Sequence, residues 1–181
     1  MTTRLYALAA TIILTCSGNA FAEDAKPNIA VVNIQQVMKD STAAKSVREQ
    51  LENKQKTFQA DITKKEEALK KEDQELAKQK GVLSKEAFEE KARAFRNKAT
   101  EVQKEVQSKK ALLDNAFERS LSDIQKATTE IIADLSKEKS FIIAIPTSQI
   151  LYADSKLDIS ADVLERLNKK LPKLDVKFDG K

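Results

Sequence analysis

Residues 62–95, ITKKEEALKKEDQELAKQKGVLSKEAFEEKARAF, decide the fold, because their apolar residues recur at helical spacing on both sides of a single turn signal. That signal is Gly81. Ser84, shortly after it, is a suitable N-cap for a second helix, and Glu86 places negative charge in the first turn of that helix. Two long helices joined by one turn form an antiparallel hairpin. The stretch therefore predicts a helical hairpin with its turn near residues 81–84.

The predicted hairpin extends well beyond the quoted stretch. Between Asn28 and Ile145 there is no proline, and 57 of the 99 residues over 41–139 are Ala, Glu, Lys, Leu or Arg, a composition typical of long helices. A first helix over residues 42–80 would be roughly 58 Å long at 1.5 Å per residue. A compact domain of this size has a radius of gyration of about 15 Å. We therefore expect residues 41–140 to project as an arm from a smaller body.

The two helices of the arm carry unequal apolar seams. The first helix repeats an apolar residue every seven positions, at Ile62, Leu69, Leu76 and Leu83. The positions that should complete its seam are instead Lys65, Glu72 and Gln79. The second helix has a fuller seam, and folding near residue 82 would place Val102 near Ile62 and Val106 near Phe58. The outer arm thus has only half an apolar stripe, and most of these residues are expected to serve as hairpin packing.

Three short runs rich in Ile and Val flank the arm. Residues 29–34 (IAVVNI), 141–145 (FIIAI) and 150–153 (ILYA) predict strands that are covered on both faces. The first strand leads into the arm and the second follows it, so both should meet at its base. We expect residues 23–40 and 141–181 to form the body.

A closing helix is predicted over residues 160–170, with Ser160 as its N-cap and Pro172 beyond its end. Three strands and one short helix cannot bury their own apolar faces, which favours self-association. We expect the oligomeric body to be built from Ile29, Val31, Val32, Ile34, Phe141, Ile143, Ile145, Leu151, Val163 and Leu164.

The first 22 residues read as a secretory signal. Arg4 precedes an apolar stretch over residues 5–15, and Ala20-Phe21-Ala22 is an A-x-A cleavage site before Glu23. A lipid anchor on Cys16 is the alternative interpretation of this segment. We therefore expect an exported protein whose mature chain starts near Glu23.

Several classes of chemistry are excluded by composition. The chain has no histidine and one cysteine, Cys16, which lies in the leader, so catalysis by Ser-His or Cys-His pairs and zinc sites built on these ligands are not expected. The S-x-x-K run from Ser136 to Lys139 has no accompanying motif, and no glycine-rich phosphate loop is present. The carboxylates around Glu89 lie among lysines, which indicates helix-surface ion pairs rather than a metal site. We expect no enzyme activity, no metal and no cofactor.

Positive charge is concentrated at the turn of the hairpin. Residues 78–98, the basic tip, contain Lys78, Lys80, Lys85, Lys91, Arg93, Arg96 and Lys98 against only Glu86, Glu89 and Glu90. Such a surface attracts acidic partners over about a Debye length, roughly 8 Å at physiological salt, and favours transient contact with an anionic membrane surface. Nucleic acid is not an expected partner, because export removes it and no stacking aromatics interleave with the basic residues.

The order of these segments resembles the Skp/OmpH family of periplasmic chaperones for outer-membrane proteins. The resemblance rests on KPNIAVVNI at 26–34, FIIAI at 141–145, ILYAD at 150–154 and DISADVLERL at 158–167, around the long charged hairpin. It implies an α+β, mostly α fold, in which a helical hairpin projects like a tentacle from a small oligomeric β-body. It also implies a homotrimer in the periplasm that binds unfolded outer-membrane proteins and prevents their aggregation without ATP. The tail after Lys170 extends past the expected end of the family.

Within this interpretation, apolar residues of the arm are hypothesised to contact the client. They are Leu69, Leu76, Leu83, Phe88 and Phe95. The alternatives are a structural coiled-coil adaptor of the cell envelope, a prefoldin-like holdase, which the leader argues against, and an enzyme of unknown type.

Overall fold

The computed structural model describes residues 28–179, so the predicted leader, Cys16 and the cleavage site lie outside the described residues. The described elements follow one another in the order β1 (Ile29–Val32), α1 (Ile34–Asp40), α2 (Thr42–Gln79), α3 (Lys85–Lys139), β2 (Ile143–Pro146) and α4 (Ser160–Lys170). Helices α2 and α3 form the arm.

Side-chain caps fix the residue at which each arm helix begins. The Ser41 side chain accepts a hydrogen bond from the Ala44 amide at the start of α2, and the Ser84 side chain accepts one from the Ala87 amide at the start of α3. At the turn, the amides of Val82 and Leu83 both donate to the Gln79 carbonyl. The predicted turn and the predicted Ser84 cap are confirmed.

Helix α3 is longer than α2, with 55 residues against 38. Its last turns therefore extend past the start of α2 into the body, where Ile131 and Leu135 are buried. The helix ends at Ser140, whose positive φ of 55° turns the chain toward β2.

The body contains a two-stranded parallel sheet, with Ile29 opposite Ile143 and Val32 opposite Pro146. The arm is the crossover connection between the two strands. The first strand is shorter than the predicted range 29–34, because the Asn33 side chain accepts a hydrogen bond from the Gln36 amide (3.0 Å) and starts α1.

The predicted strand boundaries at 141–145 and 150–153 are wrong. The pairing with β1 begins at Ile143 and runs to Pro146, and Phe141 precedes it with its side chain buried in the core. Residues 150–153 form no strand, because Pro146 ends the pairing and a 3-10 turn follows directly. The position beside β1 is taken instead by a single bridge between Val31 and Asp158.

Helix α4 occupies its predicted range, but Ser160 is not the N-cap. Ile159 holds that position without a side-chain cap. The Ser160 hydroxyl instead accepts a hydrogen bond from the Asn33 amide (2.7 Å) and donates to the Asp158 carboxylate (2.5 Å). Ser160 thus ties α4 to the junction between β1 and α1.

One hydrophobic core joins the body to the root of the arm. Its fully buried members come from all four helices and β1, and include Val32, Val37, Val47, Ile124, Leu135, Val163 and Leu167. The single chain therefore covers part of its own sheet, which the sequence analysis did not anticipate.

Candidate functional site

Polar pairs cross the arm at regular intervals. Lys65 binds Glu105 (2.5 Å), Lys98 binds Glu72 (2.8 Å), Lys91 donates to Gln79 (2.7 Å) and Lys109 binds Asp61. In each of the four pairs the two residues are equally far from Lys85 in the sequence, so the hairpin folds about Lys85 rather than about residue 82. The predicted register is therefore wrong, and Val102 lines a cleft with Leu69 rather than with Ile62.

These pairs explain the missing half of the apolar seam. Lys65, Glu72 and Gln79 recur every seven residues on α2, and their partners recur at the same interval on α3. We name these three pairs the polar ladder. The ladder fixes the register of the outer arm without a continuous apolar seam, because each pair joins specific complementary groups. The complementary charges were visible in the sequence, but the assumed fold point did not bring them together.

A cluster of four charges holds the middle of the arm. Lys109 is in contact with both Asp61 and Glu105, and its side chain is only 17% exposed. Its ammonium lies 5.1 Å from the centre of the Phe58 ring, and Lys65 also contacts both carboxylates. This cluster lies beside Ile62, beyond which no side chain up to residue 115 is buried.

The same contacts shift three pKa values. The hydrogen bond from Lys109 holds the pKa of Asp61 below its ordinary value, and hydrogen bonds from Lys65 and then Lys109 do the same for Glu105. The hydrogen bond to Asp61, followed by that to Glu105, raises the pKa of Lys109. All three groups therefore stay charged over the neutral range.

The apolar residues hypothesised to bind a client remain accessible on the outer arm. All five, Leu69, Leu76, Leu83, Phe88 and Phe95, are half-buried. Leu76 and Phe95 line an open cleft of ≈ 480 Å³ between the helices, with Lys71 and Glu75 at its edges. Among residues 63–115 of the arm, no side chain is fully buried. The outer arm thus presents divided apolar surface beside the polar ladder.

Five residues of the basic tip carry its unpaired charge. Lys91 and Lys98 are engaged within the arm by Gln79 and Glu72. The others are exposed and form no ion pair within residues 28–179, namely Lys78, Lys80, Lys85, Arg93 and Arg96.

The residues predicted for the oligomeric body fall into three groups. Val31, Val32, Phe141 and Val163 are buried inside the single chain. Ile29, Ile34, Ile145 and Leu164 are half-buried. Ile143 and Leu151 are exposed, at 48% and 108%.

Two further exposed apolar residues are sequence neighbours of the last group. Ile142 is 71% and Tyr152 is 86% exposed. The four residues Ile142, Ile143, Leu151 and Tyr152, named here the exposed base, are large apolar side chains left in solvent by the chain's own fold. Sequence reasoning missed Ile142 and Tyr152, since runs of apolar residues do not reveal which members face outward.

Within the described part of the chain, no helix is both long enough and apolar enough to cross a membrane. Across residues 28–179, no cluster of three or more Asp, Glu, Cys or His side chains could hold a metal ion.

A long charged hairpin that leaves and re-enters a small parallel sheet defines a class of arm-bearing proteins with a mostly α fold. The chain belongs to the OmpH-like family: the family model described as outer membrane protein (OmpH-like) matches residues 28–167. The fold is also that of a crystal structure of an OmpH-like protein from Caulobacter crescentus, with a TM-score of 0.78, 18% identity, and coverage of 86% of this chain and 94% of the other. Curated protein sequences give no match.

Proposed function

We propose that the protein is an ATP-independent holdase chaperone of the periplasm, which binds unfolded outer-membrane β-barrel proteins and prevents their aggregation in transit. The observation that carries the proposal is the outer arm, whose apolar side chains are half-buried rather than packed away. The membership of the OmpH-like family supports it. The Caulobacter crescentus protein of the same fold is described as a candidate outer membrane chaperone.

The divided apolar surface suits an unfolded client. A strand of an outer-membrane barrel alternates apolar and polar residues, so the unfolded chain presents many small apolar sites. Clefts such as the one between Leu76 and Phe95 offer weak contacts of matching size. Several arms acting together raise the effective concentration of such contacts, so that the client is held while each contact exchanges easily.

Assembly into a homotrimer through the body supplies the several arms. The exposed base is the surface that we assign to this contact, since Leu151 and Tyr152 face solvent in the single chain. Val31 and Val163 then support the contact from within the chain core.

The basic tip contributes to capture. Its unpaired cations would attract acidic client segments and transiently contact an anionic membrane surface. Export by the predicted leader, residues 1–22, would place the protein in the compartment where such clients travel.

Light scattering tests the proposal directly. An unfolded β-barrel protein is diluted from urea without nucleotide, with and without the mature chain. We expect the chain to suppress the rise in scattering, and replacement of both Leu76 and Phe95 by Ser to weaken that suppression. Replacement of the outward-facing Glu67 and Lys104 by Ser is the matched control. An unchanged aggregation curve would contradict the holdase function and favour a structural adaptor.

The rate of client capture at different salt concentrations tests the role of the basic tip. Reversing the charge of Lys78, Lys80, Lys85 and Arg93 should slow client capture at low salt and leave it less dependent on salt. A capture rate that is unchanged at every salt concentration would contradict electrostatic steering.

A further inference from the structure

The tail after α4 lies extended along the root of the arm. Within residues 171–179, Leu174, Val176 and Phe178 pack on the core, while the intervening Asp175 and Lys177 are exposed. This alternation with a period of two is that of a β-strand, although the tail belongs to no sheet.

Gln50 of α2 binds the tail as a neighbouring strand would. Its amide nitrogen donates to the Leu174 carbonyl (2.8 Å), and its amide oxygen accepts from the Val176 amide (3.0 Å). One side chain thus satisfies a carbonyl and an amide two residues apart, on one edge of the extended segment. Because both hydrogen bonds are made to main-chain atoms, they do not depend on the identity of the tail side chains.

Helix α3 binds the next part of the tail in a similar way. The guanidinium of Arg119 donates to the carbonyls of Lys177 (3.3 Å) and Asp179 (2.6 Å), and also contacts the Asp179 carboxylate (3.4 Å). Between the helices, the Lys54 ammonium lies 5.3 Å from the Phe178 ring and 5.0 Å from the Phe58 ring.

The tail is held by side-chain contacts rather than by backbone pairing. Within the described chain, no backbone-to-backbone hydrogen bond joins residues 172–179 to another segment. Val176 is the tail's buried apolar residue, and Leu171, Leu174 and Phe178 are half-buried. Displacing the tail would expose these apolar side chains and break the side-chain hydrogen bonds of Gln50 and Arg119, but it would disrupt no backbone pairing with another segment of the described chain.

We propose that Gln50, Lys54, Phe58 and Arg119 form a binding groove for extended segments of alternating apolar and polar residues, and that the chain's own tail occupies this groove as an internal competitor. The proposal rests on the proposed function, because unfolded outer-membrane strands have this alternation. Main-chain hydrogen bonds supply affinity in such a groove, and the apolar side supplies selection for the pattern.

Because the tail is tethered to the groove, it determines which other segments can bind there. The tail is present at a high effective concentration, of millimolar order for a short linker, so an isolated short peptide competes poorly. A long client that also contacts the arm gains the same advantage and displaces the tail. The tail would thus favour clients with several binding segments over single short peptides.

A full-length variant with Val176→Asp and Phe178→Asp releases the tail and leaves the groove intact. The probe is a fluorescent peptide of residues 171–181, LPKLDVKFDGK, followed by anisotropy. We expect this variant to bind the probe at least tenfold more tightly than the unaltered chain. A peptide of the same composition with its apolar residues grouped together should not bind.

Two controls locate the binding. Adding Gln50→Ala and Arg119→Ala to the released variant should abolish probe binding. Replacing the outward-facing Asp175 and Lys177 by Ala should leave the affinity of the unaltered chain unchanged. Equal binding of both peptides, or binding that survives the loss of Gln50 and Arg119, would overturn the groove.

Hydrogen exchange gives a second measurement on the unaltered chain, which decides the matter if the released variant loses helicity. Saturating probe should accelerate exchange of the Val176 amide, since its acceptor on Gln50 becomes occupied. An unchanged exchange rate under saturating probe would overturn the proposal. Aggregation suppression without probe binding would refute the groove alone, and probe binding without aggregation suppression would refute the holdase function alone.

Discussion

At the scale of single residues, polar side chains in this protein mark the places where one element meets another. Ser160 joins α4 to the start of α1, and Asn28 donates to the Lys139 carbonyl where α3 ends. The bidentate pair between Arg166 and Glu138, with distances of 2.5 and 2.6 Å, connects α4 to α3. These contacts join the elements of the body to one another and to the end of α3.

Replacing Ser160 by Ala should lower the free energy of unfolding by about 1–2 kcal/mol, because the part-buried Asn33 amide loses its acceptor. Urea titration followed by circular dichroism measures this loss. Ser148→Ala, an exposed site without a side-chain hydrogen bond in the structure, is the control and should change stability little. Equal effects of the two substitutions would show that the hydrogen bond between Asn33 and Ser160 does not stabilise the fold.

Acid should loosen the arm at its charged centre. The pKa values of Asp61 and Glu105 are lowered in the fold by hydrogen bonds from Lys109 and Lys65, so their contribution is complete above the ordinary carboxyl range and is lost as the pH falls through the lower folded values. Thermal melts at pH 7 and pH 3 should therefore show a larger loss for the unaltered chain than for a variant with Asp61→Asn and Glu105→Gln.

The matched control for this pH dependence replaces the exposed carboxylates Glu67 and Glu101, which take part in no ion pair of residues 28–179, by Gln. It should retain the full acid sensitivity. A control that flattens the pH profile as much as the charged-centre variant would show that general charge balance, not this cluster, is responsible.

At the scale of elements, the arm could be predicted from composition and capping, whereas its register could not. Gly81 and Ser84 are local signals and located the turn correctly. The register depends on which side chains meet across the helices, and the Glu72–Lys98 pair is a contact between distant residues that no local pattern ranks. The prediction of a strand at 150–153 was wrong for a similar reason, because a run of apolar residues does not distinguish a paired strand from an exposed loop.

Replacing one pair of the polar ladder by apolar residues should stabilise the outer arm. Glu72→Leu with Lys98→Leu replaces a solvent-exposed ion pair, whose contribution is small, by apolar contact, and should raise local stability by about 1 kcal/mol. Hydrogen exchange of arm amides should slow roughly fivefold.

Glu67→Leu with Lys104→Leu adds the same residues on outward-facing positions and should leave exchange unchanged. If the ladder variant exchanged as fast as the unaltered chain, the ladder positions would not face each other across the arm.

At the scale of the whole molecule, the body buries β1 on both faces and leaves the exposed base in water. The sequence correctly indicated a long helical arm and a small strand-containing body, but it could not separate residues that pack within the chain, such as Val31, from those left outside, such as Leu151. Both are apolar members of short runs. Only the course of the chain after Pro146 distinguishes them.

Ile143→Asp with Leu151→Asp should therefore dissociate the proposed trimer while helicity is retained, because the new charges lie on the exposed base and not in the core. Val31→Asp should instead unfold the body. Ser148→Asp with Ser155→Asp introduces the same charges at nearby exposed polar positions, and should leave the sedimentation coefficient unaltered.

We propose that copies of this chain assemble through their bodies and hold an unfolded client between their arms. Sedimentation velocity of the mature chain mixed with a fluorescent, urea-diluted β-barrel protein tests assembly and binding together. We predict that the client sediments as a soluble complex containing three copies of the chain, without nucleotide. A chain that sediments as a monomer, with the client pelleting as aggregate, would contradict the claim.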